Sequence, residues 1–162
     1  MNKKKAFSVI VFFACIFAGC IAAFLTVKPA GTSHYTGEGE NASVVMERYT
    51  DIDEFWENRP EGIAIHSDKE KFAEGAEGFL SGSISLPAEA LFPDTEYELV
   101  LLRRNGTEAT APVFLLNEQG TPELTGTMHA DFVLQDMENS RFTGAALLAG
   151  EEVAAEVPLE KN

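Results

Sequence analysis

Three histidines, a run of carboxylates and one arginine pair are the side chains of this sequence with the chemical range to act on a ligand. His129 and Asp131 alternate through Ala130. On a strand that spacing sets imidazole and carboxylate on one face, where they could ligate a metal or pass a proton. No third ligand is identifiable beside them, and the reading as a solvated pair weighs more. Asp51, Asp53, Glu54 and Glu57 crowd one short segment and could hold a calcium ion. Phe55 and Trp56, however, stand where an EF-hand loop needs an oxygen ligand and its glycine. Charge at the start of a helix is the better account, since carboxylates there complement the helix dipole. Arg103 and Arg104 flank a candidate turn and read as protection of a strand edge, or as a contact site. Neither His34 nor His66 belongs to a helix-spaced zinc motif, and no serine sits in a strand-turn-helix elbow. The expectation is a domain without catalysis, cofactor or metal, whose candidate interaction residues are Arg103, Arg104, Asp51, Asp53, Glu54 and Glu57.

The elements that carry these residues are mostly strands. From residue 78 onward Leu80, Ile84 and Leu86 fall on one face, with Phe79, Ser81, Ser83 and Ser85 on the other. Met128, Ala130, Phe132 and Leu134 alternate in the same way, and so do Val153, Ala155, Val157 and Leu159. The continuously apolar run Tyr97 to Leu102 predicts a central strand, whereas Pro112 confines the run Ala111 to Leu116 to an edge or a bulge. Asn105-Gly106 predicts a tight hairpin, with both residues at positive φ. Asn117 to Gly120, Asp136 to Ser140 and Ala149 to Glu151 supply further turns. Upstream, Val44 to Tyr49 reads as a short strand. Thr50 with Asp53 resembles a capping box that opens a helix over about 51–58, and Ser67 with Glu70 does the same over about 68–74. Residues 44–162 are therefore expected to form an all-β, antiparallel sandwich of about seven strands with two short helices.

Leu91-x-Pro93-x-Thr95-x-Tyr97, followed by alternating apolar residues, resembles the tyrosine corner of fibronectin type III and related immunoglobulin-like sandwiches. The resemblance runs from Leu91 to Leu116 and implies that the Tyr97 hydroxyl bonds back to the loop before its strand. Some 46 residues follow Leu116, although in that family the corner leads the last strands, and Trp56 lies in a predicted helix instead of on an early core strand. The function implied is binding or spacing, by analogy alone.

Residues 6–27 carry no charge, and as a helix they would reach about 33 Å against a hydrocarbon core of roughly 30 Å. They are expected to be a retained membrane anchor, within residues 1–28. Phe17-Ala18-Gly19-Cys20 also resembles the bacterial lipobox, which makes Cys20 a candidate lipidation site and leaves a lipoprotein, or simple cleavage, as the alternatives. Lys3, Lys4 and Lys5 precede the run and Lys28 alone follows it closely, a bias that keeps the N-terminus inside and exports the remainder. Residues 29–43, rich in Gly, Ser and Thr, read as a flexible stalk.

All 26 acidic residues lie beyond Lys28, against eight of the 12 Lys and Arg, so the exported part has a net charge of −18. Such a field repels phosphates, which excludes nucleic acid as a partner. Cys15 and Cys20 are the only cysteines, so the exported part has no disulfide. Taken together, these features predict a single-pass, membrane-tethered domain of the bacterial cell envelope that faces outward and binds an envelope protein. The alternative is an accessory subunit of a membrane complex for transport, secretion or a pilus-like assembly.

Overall fold

Alternation of apolar and polar side chains sorts the chain into two antiparallel sheets. A computed structural model describes residues 31–162; the expected anchor, Cys15 and Cys20 lie outside the described residues. The strands are β1 (Ser33–Glu38), β2 (Ser43–Tyr49), β3 (Gly78–Pro87), β4 (Tyr97–Arg103) and β5 (Glu108–Val113), then β6 (Leu116–Asn117), β7 (Thr127–Asp136), β8 (Phe142–Ala149), β9 (Glu152–Pro158) and β10 (Glu160–Lys161). One sheet has the order β10-β1-β2-β3-β7-β6 and the other β5-β4-β8-β9. Between the sheets lie Leu80 and Ile84 of β3, Met128 of β7, Leu99 and Leu101 of β4 and Leu147 of β8, all fully buried. The all-β expectation holds, and β4 is central and β5 an edge strand, as the apolar run and Pro112 indicate. Among the described residues no helix is long and apolar enough to cross a membrane.

Residues 33–38 are not a stalk. They form β1, paired along its length with β2 and at Tyr35 and Thr36 with β10. Tyr35 is buried, with its ring edge-on to Phe142 at 5.9 Å. The glycines that suggested flexibility answer a packing demand instead: a Cβ on Gly37 would collide with the Pro158 carbonyl, and one on Gly39 with the Glu156 carbonyl. Glycine lets the β1 backbone close against β9 of the opposite sheet.

Three local expectations are also corrected. The hairpin at residues 104–107 has positive φ at Gly106 and not at Asn105. It closes through Gly106 N–H to the Arg103 carbonyl and Arg103 N–H to the Thr107 carbonyl, both 2.9 Å. Asn105 instead uses its side chain, whose oxygen accepts from Thr107 N–H at 3.1 Å. The register between β8 and β9 shifts at Leu147/Leu148, so Val153 faces solvent while Ala155 and Val157 stay buried. Helix α1 (Ile52–Asn58) is capped by Asp51, which accepts from Glu54 N–H at 2.9 Å, and α2 (Lys69–Ala73) by Asp68, each one residue later than the box pattern suggested. Both helices lie on the outer face of the six-stranded sheet. There Phe55, fully buried, stacks on Phe72 and Phe79 at 5.6 and 5.5 Å.

Candidate functional site

Among the described residues, the segment that carries the chain from β5 to β6 holds the most exposed large apolar side chain. Ala109, Ala111, Val113 and Leu115 point inward and are buried; the alternate positions Thr110, Pro112 and Phe114 point out. Phe114 is 85% exposed, which leaves most of a large aromatic surface in water. A cleft of about 730 Å³ lies on each side of it.

The first cleft is walled by Phe92, Tyr97, Pro122 and Leu124 together with Phe114, and Asp94, Glu96 and Glu98 supply its charge. Phe92 is itself 43% exposed. Its position is fixed by Tyr97 at the start of β4: the hydroxyl accepts from Phe92 N–H at 2.7 Å and donates to the Phe92 carbonyl at 2.9 Å. Asp94 takes the left-handed conformation, with φ of 51°, which turns the loop back toward β4. The tie of Tyr97 to the preceding loop, implied by the Leu-x-Pro-x-Thr-x-Tyr pattern, is therefore present. Glu98 stands opposite Pro112 across the β4–β5 pair, two residues from Phe114.

The second cleft runs between the 62–67 loop, α2 and β7. Ile63, Ile65, Phe72, Leu116 and Val133 form its apolar surface, and His66, His129 and Asp131 its polar one. His129 and Asp131 thus share one face of β7, as their spacing required, and His66 lines the same cleft from the 62–67 loop. No group of three or more His, Cys, Asp or Glu among the described residues is arranged to hold a metal ion.

The acidic cluster serves helix packing. Asp51 is the α1 cap, Asp53 pairs with Lys69 of α2, and Glu54 accepts from the Thr32 hydroxyl at 2.7 Å. Glu57 is exposed. The cluster lies outside the linings of both clefts.

Arg103 is no surface guard. It is 3% exposed and donates twice to Asp136 Oδ1, at 3.2 Å from Nε and 2.8 Å from Nη2. Asp136, fully buried, receives Arg48 Nε on its other oxygen at 2.7 Å. Arg48 comes from β2, Asp136 from β7 and Arg103 from β4, so one carboxylate joins the two sheets through two guanidinium groups. Each arginine also reaches a backbone carbonyl, Arg48 that of Glu77 and Arg103 that of Glu108, both at 3.0 Å. Every buried side-chain nitrogen and oxygen among the described residues has a partner. Glu138, beside Arg103, accepts from Asn105 and Thr107 at 2.8 and 2.9 Å, and those bonds hold its carboxyl below the usual range. Arg104 alone of the pair is exposed.

Sequence reasoning missed Phe114, Phe92 and the ion triad. The signal for Phe114 was present: phasing the strand on Ala109, Ala111 and Val113 puts a phenylalanine at a wet position. The triad left no local signal, because its members are 88 and 33 residues apart.

No family model, no curated protein and no solved structure matches this chain.

Proposed function

We propose that the chain is a non-catalytic, membrane-tethered domain on the outer side of the cell membrane, and that it holds another envelope protein through the surface around Phe114. The N-terminal apolar run supplies the tether in this reading, with the N-terminus inside and residues 29–162 outside. The fold is of immunoglobulin-like, fibronectin III-like type. In support, β2-β3-β7-β6 corresponds to the A-B-E-D order of that fold, and β5-β4-β8-β9 to C-F-G with one added strand. Strands β1 and β10 then extend the A edge. Tyr97 makes its hydroxyl bond at the corner that leads into the third of these strands instead of the sixth.

The observation that carries the reading is the exposure of Phe114 between two clefts. An aromatic ring left in water on a prolyl-stiffened edge costs solubility with no return to the fold, and buried aromatic anchors dominate protein interfaces. A photo-crosslinking phenylalanine analogue placed at position 114 of the tethered protein, in membranes of its own host, tests this. One discrete protein adduct is expected at position 114 and none from the same analogue at Val153, which is 52% exposed on another edge. Equal labelling at both positions, or lipid adducts alone, would remove the proposal.

A further inference from the structure

We infer that the segment received at Phe114 is a basic polypeptide with apolar side chains between its charges; the inference rests on the interface proposed above and names the chemistry of its partner. Apolar surface and acidic charge are interleaved here. Phe114 and Phe92 expose aromatic faces, while Asp94, Glu96 and Glu98 line the first cleft and Asp131 the second. Among the described residues no lysine or arginine lines either cleft. An aromatic ridge with carboxylates on both flanks selects a segment that buries aliphatic groups against the rings and sets ammonium or guanidinium groups over the acids. The ridge is also preorganised. Tyr97 clamps the Phe92 loop by both of its backbone groups, and Pro93, Pro112 and Pro122 restrict the surrounding backbone, so little ordering remains to be done on binding.

The same features disfavour the other occupants. Two copies docked through this face would bring Asp94, Glu96 and Glu98 against their own duplicates within a domain of net charge −18, and like charges across an interface suppress pairing. Anionic headgroups and nucleic acid phosphates meet the same repulsion.

The test uses the full-length protein in nanodiscs of uncharged-surface phosphatidylcholine and three short synthetic peptides, alternating lysine with leucine, lysine with serine and glutamate with leucine. Binding is read by fluorescence anisotropy. The lysine–leucine peptide is expected to bind at least about tenfold more tightly than either of the others. Phe114→Ser should remove most of that advantage, and because the ring is exposed this change leaves the fold intact. Glu96→Gln with Glu98→Gln should weaken binding and flatten its salt dependence, whereas Glu57→Gln with Glu61→Gln, equal in charge change but outside the clefts, should not. The inference is overturned if the lysine–serine peptide binds as well, if Phe114→Ser has no effect, or if both glutamate pairs act alike. A concentration-dependent dimer abolished by Phe114→Ser would assign the face to a second copy and overturn it too. A discrete crosslink at position 114 combined with indifference to the lysine–leucine peptide sinks the partner chemistry and leaves the interface standing. Peptide binding without a crosslink does the reverse.

Discussion

Asp136 holds two guanidinium groups in a place where neither could remain alone. With Arg48 and Arg103 at 6% and 3% exposure, the carboxylate is their only buried countercharge among the described residues, Glu138 lying 3.8 Å from Arg103 and partly in solvent. Asp136→Asn keeps the shape and removes the charge, so two buried cations face each other. Urea denaturation should show a loss of about 3–5 kcal/mol. Replacing all three residues by apolar side chains of similar size should restore most of it, because a buried ion network is worth little beyond a well-packed apolar substitute. Tyr49 titrates in the opposite sense to a paired acid. Burial, and then its bond to the Glu47 carboxylate, push the phenol up to about 12 from 10.0. A folded-state value above the unfolded one gives stability that is complete below pH 10 and lost as pH rises toward 12. Thermal melts across that window should therefore slope less steeply in Tyr49→Phe than in the wild type.

At the scale of elements, β1 depends on two missing side chains. Gly37→Val would drive a branched Cβ into the Pro158 carbonyl and the Val157 side chain. Overpacking of this kind costs about 1–3 kcal/mol. Hydrogen exchange should accelerate over 33–38 and 160–161 while β3 and β7 stay protected, and uniform acceleration would mean that the closure is not local. This strand also marks where sequence reading stopped. Strands β3, β4, β7 and β8 were legible because a single face of each is apolar with period two. The six residues of β1 hold one buried aromatic, Tyr35, with Gly37 inside the strand and Gly39 just past its end, a composition that also fits a linker. It pairs with its chain neighbour β2, but the close approach that its glycines permit is to β9, more than 110 residues later in the chain, and no local pattern carries that information. The hairpin failed differently: Asn105-Gly106 was recognised as a turn, but Asn105 bonds Glu138 through its amide, and that tie favours the longer loop with a single positive φ.

For the whole molecule, charge and fold pull against each other. A domain of net charge −18 repels itself, and the Debye length of about 30 Å at 0.01 M salt lets that repulsion act across most of its width. At about 0.15 M it falls to roughly 8 Å. The melting temperature should accordingly rise between these two ionic strengths, while capture of a basic peptide weakens. Opposite signs from one variable would separate fold from recognition, and a melting temperature that falls with salt would contradict the repulsion argument. All of the acidity was legible in the sequence. Its division into helix caps, cleft linings and one buried ion was not, since that depends on which strand lies beside which.

The pairing of β1 with β10 also sets a clock. Asn162 donates its backbone N–H to the His34 carbonyl and its side-chain amide to Thr36, a partner 126 residues earlier. At a synthesis rate of about 5–20 residues per second, β1 waits roughly 6–25 s for its outer neighbour to be made. Until then Tyr35 and Thr36 on the outer edge of β1 have no strand beside them on that side. On the proposed topology, with the N-terminus held inside and residue 29 leading residue 162 across the membrane, β1 would reach the far side before β10 could pair with it. Pairing by a strand that follows β9 in the chain would then come after the passage and not oppose it.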